Sequence, residues 1–115
     1  MKANAVTVGI PVSNLDDAVL WYQRAFELGK PDQIPLEGLV EFDLGAFWLQ
    51  LAASSAAGSG GISVNISVES AAAEQCRFVN LGLTVSELER YQGVVEFFEL
   101  TDPDGNKIGF VTELS

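Results

Sequence analysis

Residues 61–68 read Gly-Ile-Ser-Val-Asn-Ile-Ser-Val, and this stretch decides the fold because its apolar and polar residues alternate without interruption. Successive side chains of a β-strand point to opposite faces of a sheet. The isoleucines and valines therefore share one face of a predicted strand, whereas Ser63, Asn65 and Ser67 share the other. The apolar face requires a core, and the polar face suits either bulk water or a polar cavity.

The same alternation occurs earlier in the chain, in residues 5–12, where Val6 begins the apolar side. Each copy is followed by a helix-like segment that ends in Leu-Gly, at Gly29 and at Gly82, and then by a hairpin-like segment. A duplicated module is the simplest description of this repeat. The predicted boundaries are residues 1–53 for module one, 54–60 for a flexible connector rich in Ala, Ser and Gly, and 61–115 for module two.

Each module is predicted to contain one helix. Ser13 or Asn14 caps the first helix and Ser70 caps the second, while Gly29 and Gly82 suit the left-handed conformation that ends helices. Residues that recur at helical spacing predict the buried face of each helix. These are Leu15, Ala18, Val19, Tyr22 and Phe26 in the first helix, and Ala72, Ala73, Cys76 and either Val79 or Asn80 in the second.

A hairpin is predicted in module one, with strands at residues 39–44 and 47–52 and a two-residue Gly-Ala turn between them. Glycine at the first turn position is typical of a type II′ turn, and such a turn sets the register of the strands. That register gives the hairpin one apolar face and one polar face. The polar face consists of Glu41, Asp43, Trp48 and Gln50.

A second hairpin is predicted in module two, where residues 102–106, Asp-Pro-Asp-Gly-Asn, form a tight turn between strands at 94–101 and 107–113. Pairing of Leu100 with Ile108 defines one shared face. Its members are Phe97, Glu99, Gly109 and Val111. Two further segments, residues 30–35 and 83–93, are predicted to be short strands or loops.

Composition restricts the partners and the location of the chain. Its length of 115 residues is that of one domain, and its net charge of −10 excludes nucleic acid and favours a cationic small molecule or a basic surface. The single cysteine, Cys76, cannot form an intrachain disulfide, and we expect it to be a buried structural thiol. We find no signal peptide or membrane-spanning run, which predicts a cytoplasmic protein without a membrane partner.

The chain resembles the vicinal oxygen chelate superfamily, which includes glyoxalase I, fosfomycin-resistance proteins, extradiol dioxygenases and bleomycin-resistance proteins. The resemblance is carried by the first strand and helix, residues 8–29, by Leu44-Gly45, and by the turn at 102–106 followed by Lys107-Ile108. It implies a single α+β domain, residues 1–115, in which two tandem βαβββ modules form a U-shaped mixed sheet with the helices outside. It also implies that the Ser63 side of the strand faces a cavity.

Enzymes of this superfamily bind a divalent metal through four side chains, mostly His and Glu. Carried over onto this sequence, those positions fall on Thr7, Gln50, Ser63 and Gly109, and the chain contains no histidine. Zinc and redox iron sites need several imidazole, thiolate or carboxylate ligands. We therefore expect neither a metal nor another cofactor.

Three functions are compatible with these features. The favoured one is metal-independent binding of a small amphipathic, cationic ligand in a concave cavity, which resembles the bleomycin-resistance branch. The predicted ligand-binding residues are Thr7, Glu41, Asp43, Trp48, Gln50, Ser63, Asn65, Phe97, Glu99 and Gly109. The alternatives are a glyoxalase-like enzyme that uses Glu99 or Glu41 with a raised pKa, and a dimerisation module with a closed cavity. Glu41 and Asp43 could equally be solvated acids of an acidic protein.

We predict that the protein is a homodimer in dilute solution. The resemblance implies this state, and a mean hydropathy of +0.23 in a small domain suggests more apolar surface than one core buries. Light scattering over a dilution series should return twice the chain mass. A monomer mass at every concentration would contradict the prediction.

Overall fold

The structure, a computed structural model, describes residues 1–58 and 63–114. The chain forms two compact units, Met1–Gly60 and Gly61–Ser115. The first contains β1 (Thr7–Val12), α1 (Leu15–Phe26), β2 (Leu39–Asp43) and β3 (Trp48–Ala53). The second contains β4 (Val64–Ser67), α2 (Ala71–Asn80), β5 (Thr84–Val85), β6 (Glu89–Tyr91), β7 (Val95–Thr101) and β8 (Lys107–Glu113). The predicted α+β class with mixed sheets is confirmed.

The sheet of the first unit has the strand order β1-β3-β2, in which β1 runs parallel and β2 antiparallel to β3. The predicted hairpin register is confirmed, since Glu41 pairs with Gln50 and Asp43 pairs with Trp48. Gly45 begins the turn with a φ of 88°. Residues with a side chain rarely adopt this backbone conformation, which explains why glycine occupies the position.

The sheet of the second unit has the order β4-β8-β7-β5, and β6 also pairs with β7. The predicted pairing of Leu100 with Ile108 is confirmed. Asp102 closes the turn between β7 and β8, because its Oδ1 accepts hydrogen bonds from the backbone N–H groups of Asp104 (2.9 Å) and Asn106 (2.8 Å). This network supplies the chain reversal that the sequence predicts for residues 102–106.

The helix of each unit contacts its sheet, α1 at β3 and α2 at β5, β7 and β8. The buried side chains of α1 are Ala18, Tyr22 and Ala25. The buried apolar side chains of the first sheet are Ile10, Val12, Val40, Phe42, Leu49 and Leu51. In the second unit, Phe78 of α2 lies 5.9 Å from Phe98 and 5.2 Å from Phe110, measured between ring centroids. The residues that alternate with the buried ones form the opposite, polar face of each sheet.

Helix capping follows the sequence at three of the four helix ends. Asn14 caps α1 through its side chain, which accepts from Asp17 N–H at 3.0 Å, and this decides between Ser13 and Asn14. Ser70 caps α2, and Gly82 follows it with a φ of 77°. The prediction for the end of α1 was wrong: the helix ends at Phe26 and Glu27, not Gly29, is left-handed.

The capping at Glu27 has a local physical cause. The backbone N–H of Leu28 donates to the carbonyl of Gln23 at 2.9 Å, and the side-chain amide of Gln23 donates to the carbonyl of Gly29 at 2.9 Å. These bonds close the helix before Gly29 and offset the strain of a non-glycine residue at positive φ.

The buried face of α2 differs from the prediction. Ala71 and Phe78 are buried, whereas Ala73 and Cys76 are exposed and Ala72 is half-buried. Phe78 fixes the rotation of the helix, because a phenylalanine ring removes far more apolar area from water than alanine or cysteine does. Cys76 is therefore a surface thiol, and the expectation of a buried one was wrong.

Both predicted alternating strands are shorter than expected. β1 begins at Thr7, and Val6 is 57% exposed instead of joining the core. β4 begins at Val64, so Ser63 precedes the strand, and Ile62 lies outside the described residues. In the predicted connector, Ser54 Oγ accepts from Ala56 N–H at 3.0 Å, while residues 59 and 60 are not among the described ones.

The two segments predicted as short strands or loops take different forms. Residues 30–35 contribute a single bridge between Gln33 and Glu41, and residues 83–93 contain β5 and β6. Within the described part of the chain, neither helix is long and apolar enough to cross a membrane.

Candidate functional site

Four residues of the first unit form a row across the polar face of its sheet. Gln33 bridges to Glu41, Glu41 pairs with Gln50, and Gln50 pairs with Gly9. Side chains directly opposite one another on neighbouring strands lie close enough to interact. We call Gln33, Glu41, Gln50 and Gly9 the carboxylate row.

Glu41 is the centre of the carboxylate row and is only 9% exposed. Its Oε1 accepts from Gln33 Nε2 at 2.6 Å and its Oε2 accepts from Gln50 Nε2 at 2.8 Å. The hydrogen bond from Gln50, followed by that from Gln33, lowers the pKa of Glu41, while burial acts in the opposite direction. Within residues 1–58 and 63–114, no cationic side chain contributes to this shift. Two neutral amides thus favour the ionised form of the Glu41 carboxylate over the protonated form.

The neighbouring row on the same face consists of Asp43, Trp48 and Thr7, paired in that order. Trp48 is half-buried, and Thr7 and Asp43 are exposed. Asp43 also has a structural contact, since its Oδ1 accepts from Gly45 N–H at 2.9 Å. The five candidate residues of this unit therefore share one face.

The second unit has an equivalent row, in which Asn65 pairs with Gly109 and Gly109 pairs with Glu99. A Cβ added at Gly109 would overlap Asn65 Oδ1 and lie 3.2 Å from Asn65 Cγ, so the amide of Asn65 fills the space of a side chain at Gly109. Glu99 is exposed, and its backbone N–H donates to Ser86 Oγ at 2.8 Å. Among the described residues, no side-chain amide donates to its carboxylate.

Phe97 shares the polar face with Glu99 and stacks on Tyr91. Their ring centroids are 5.9 Å apart and the planes differ by 11°. Phe97 is half-buried, whereas Tyr91 is 58% exposed. Ser63 is exposed and lies before the first pair of the β4–β8 ladder, so it is less tightly positioned than the other candidates.

The four positions that the resemblance assigns to a metal do not fit one. Gly109 has no side chain, Thr7 and Ser63 offer only hydroxyl groups, and the amide nitrogen of Gln50 donates to Glu41. Hard or borderline cations need several charged or imidazole ligands. Within residues 1–58 and 63–114, no three His, Cys, Asp or Glu side chains come together as a metal-binding group.

Gln33 and Tyr91 also lie beside the candidate residues, and no pattern in the sequence predicted this. Gln33 lies between Pro31 and Pro35, which favoured an irregular segment, yet its pairing with Glu41 brings an amide to the carboxylate. Residues 30–35 directly precede the hairpin, and pairing this segment with the edge strand β2 would have placed Gln33 opposite Glu41. The short strand that carries Tyr91 had no clear period.

The fold is shared with solved structures that align over nearly the whole chain. A lactoylglutathione lyase from Agrobacterium tumefaciens has a TM-score of 0.78 at 18% identity, with 97% of this chain and 95% of that chain covered. TnmS3, an antibiotic binding protein from Streptomyces sp. CB03234, has a TM-score of 0.80 at 17% identity and 97% coverage of both chains. A bleomycin resistance determinant encoded on the transposon Tn5 has a TM-score of 0.77 at 16% identity, with 96% and 98% covered.

No protein-family model matches the sequence, and no curated protein matches it. The similarity therefore lies in the fold, which is that of the glyoxalase and bleomycin-resistance proteins. Members of this structural group include both enzymes and binding proteins, so the function of the chain has to be argued from its own residues.

We predict that the purified protein contains no stoichiometric transition metal and gains no thermal stability from zinc, nickel or manganese. If a metal site existed, a metal concentration of about one hundred times its Kd would raise the free energy of unfolding by about 2.7 kcal/mol. A melting curve resolves a change of this size. Elemental analysis before and after chelation provides the measurement. One metal per chain would contradict the prediction.

We predict that Glu41 makes stability depend on acid pH. Because folding lowers its pKa, the ionised form stabilises the fold fully above the ordinary glutamate pKa, and this stabilisation disappears as the pH falls through the lower folded value. The difference in unfolding free energy between wild type and Glu41→Gln should therefore shrink as the pH falls below about 4.3. Urea unfolding at a series of pH values measures it.

Glu37→Gln is the matched control for this experiment, since Glu37 is exposed in the loop before β2. Its difference from wild type should change less with pH than that of Glu41→Gln. Parallel curves for the two variants would show that the amide contacts of Glu41 do not alter its titration.

Proposed function

We propose that this protein binds a small amphipathic, cationic molecule on the polar faces of its sheets, without a metal ion. The observation that carries the proposal is the carboxylate of Glu41, a residue only 9% exposed, which accepts hydrogen bonds from two neutral amides and, among the described residues, has no cationic side chain acting on it. Buried charges in proteins are usually paired with an opposite charge. A ligand cation would complete this pairing.

The surroundings of Glu41 suit a ligand of this kind. Trp48, in the adjacent row, offers an aromatic face, and a cation over such a face gains up to about 2 kcal/mol when desolvated. Thr7 and Gly9, on the polar face that also carries Glu41 and Trp48, are exposed to solvent. An apolar group beside Trp48 and a positive charge at Glu41 make the ligand amphipathic.

The second unit is part of the same proposal. On the polar face of its own sheet, Glu99 is an exposed carboxylate, and Phe97 on the same face stacks on Tyr91. The ten residues proposed to take part are Thr7, Glu41, Asp43, Trp48, Gln50, Ser63, Asn65, Phe97, Glu99 and Gly109. The net charge of −10 attracts a cation from solution.

The structural neighbours support a binding role. One is described as an antibiotic binding protein and another as a bleomycin resistance determinant. A homodimer in the cytoplasm belongs to the same proposal, on the basis of the resemblance and the single cysteine, Cys76.

The alternative of an enzyme that uses Glu41 as an acid has less support. A general acid needs a pKa raised toward the working pH, and the contacts of Glu41 lower its pKa. The alternative of a closed interaction module is less favoured because Thr7, Gly9 and Asp43 remain exposed on the polar face.

The experiment that tests the proposal compares two probes of the same ring and different charge. Naphthylmethylammonium is cationic near neutral pH, whereas naphthylmethanol is neutral. Calorimetric titration of the full chain should show binding of the ammonium at least about tenfold tighter than of the alcohol, and added salt should reduce the difference. Equal affinity, or no binding of either probe, would contradict the proposal.

We predict that Trp48→Ala and Glu99→Gln each weaken binding of naphthylmethylammonium about tenfold or more, through loss of a cation-π contact and of a carboxylate. Both side chains lie opposite the helix-covered faces, so the thermal stability of the variants should change little. Trp21→Ala, on α1, and Glu37→Gln are matched controls. If Leu49→Ala abolished binding at unchanged stability while both site variants bound normally, the face assignment would be wrong.

A further inference from the structure

The hydrogen bonds of Glu41 fix the orientation of the Gln50 amide. An ionised carboxylate only accepts hydrogen bonds, so each glutamine beside it must present its NH₂ group. Gln50 donates Nε2 to Glu41 Oε2 at 2.8 Å, and Gln33 donates Nε2 to Oε1 at 2.6 Å. The carbonyl oxygen of Gln50 is consequently turned away from the carboxylate.

That carbonyl oxygen lies beside an exposed glycine. A Cβ placed on Gly9, which pairs with Gln50, would lie 3.4 Å from Gln50 Oε1. Gly9 is exposed, and Gln50 is half-buried. In the part of the chain that the structure describes, no donor reaches this oxygen. The absence of a side chain on Gly9 thus leaves an acceptor accessible next to the buried charge of Glu41.

We propose that Gln50 is a specificity-determining residue that accepts a hydrogen bond from an N–H group of the ligand cation. The inference rests on the proposed function and narrows its ligand class. A primary or secondary ammonium, an amidinium or a guanidinium carries both a positive charge and an N–H donor. A quaternary ammonium carries the charge alone and leaves the Gln50 oxygen without a partner, which is unfavourable in a desolvated site.

The test uses naphthylmethylammonium and its trimethylammonium analogue, which have the same ring and charge and differ in N–H groups. The wild-type protein should bind the primary ammonium at least about tenfold more tightly than the quaternary one in calorimetric titration. Gly9→Ala places a methyl group at ordinary contact distance from Gln50 Oε1, at 3.4 Å, and covers the acceptor. This variant should lose most of the preference.

Two further variants make the result specific. Gln50→Met keeps the side-chain length and removes both the acceptor and the amide that donates to Glu41, so it should also lose the preference, while Gly9→Ala tests the acceptor alone. Gly29→Ala is the matched control, because a Cβ there meets nothing within 4 Å, and it should retain the wild-type preference. Thermal unfolding verifies that each variant is folded.

The outcomes separate this inference from the proposed function. If the wild type binds both cations equally, or if Gly9→Ala and Gln50→Met keep the preference, Gln50 does not select the ligand, although cation binding stands. If neither cation binds the wild type, the proposed function itself has failed.

Discussion

The register between β2 and β3 determines which side chains reach the polar face of the first unit. A shift of one residue would send Phe42 and Leu49 into solvent and Glu41 and Gln50 into the core, because side chains alternate along a strand. The two-residue turn at Gly45 and the burial of the apolar face fix the register together. The same constraint then aligns Gln33, Glu41, Gln50 and Gly9, so the arrangement of the site is a consequence of the packing of the core.

Each of the two units contains a row of this kind, but the glycine and the amide residue occupy opposite strands in the two rows. In the first unit, glycine stands on the opening strand and the amide on the last, as Gly9 and Gln50. In the second unit the amide is on the opening strand and the glycine on the last, as Asn65 and Gly109. The Asn65 amide occupies space that a side chain at Gly109 would need, so glycine is required there, whereas a Cβ at Gly9 would meet Gln50 Oε1 at an ordinary contact distance of 3.4 Å. On the next strand of each row lies one carboxylate, Glu41 opposite Gln50 and Glu99 opposite Gly109.

The two carboxylates nevertheless differ in their surroundings. Glu41 is buried and accepts from two glutamines, whereas Glu99 is exposed beside Ser86. A short hydroxyl side chain cannot reach across the strand spacing to the carboxylate as glutamine does. The difference lies in the side chains on both sides of the carboxylate, which are Gln33 and Gln50 at Glu41 but Ser86 and a glycine, Gly109, at Glu99.

Local rules of sequence predicted much of this structure. Turn residues, strand alternation and capping side chains gave the two hairpins, their registers and the start of each helix, because each depends on a few neighbouring residues. The contacts of Gln33 were not predictable in this way, since they depend on docking a proline-containing segment against an edge. The predicted rotation of α2 was wrong because it placed the small residues Ala72, Ala73 and Cys76 toward the sheet, whereas the large ring of Phe78 determines which face is buried. The burial of Glu41 relative to Glu99 likewise depends on tertiary packing.

The central claim is that the charge of Glu41 is completed by a ligand cation, and the most direct measurement follows the carboxyl carbon NMR resonance of Glu41 during a pH titration with and without naphthylmethylammonium. A cation bound to the ionised carboxylate must lower its pKa further, by the reciprocity of proton and ligand binding. The account predicts a lower pKa of Glu41 at saturating ligand. An unchanged pKa at saturation would show that the cation binds elsewhere and would contradict the account.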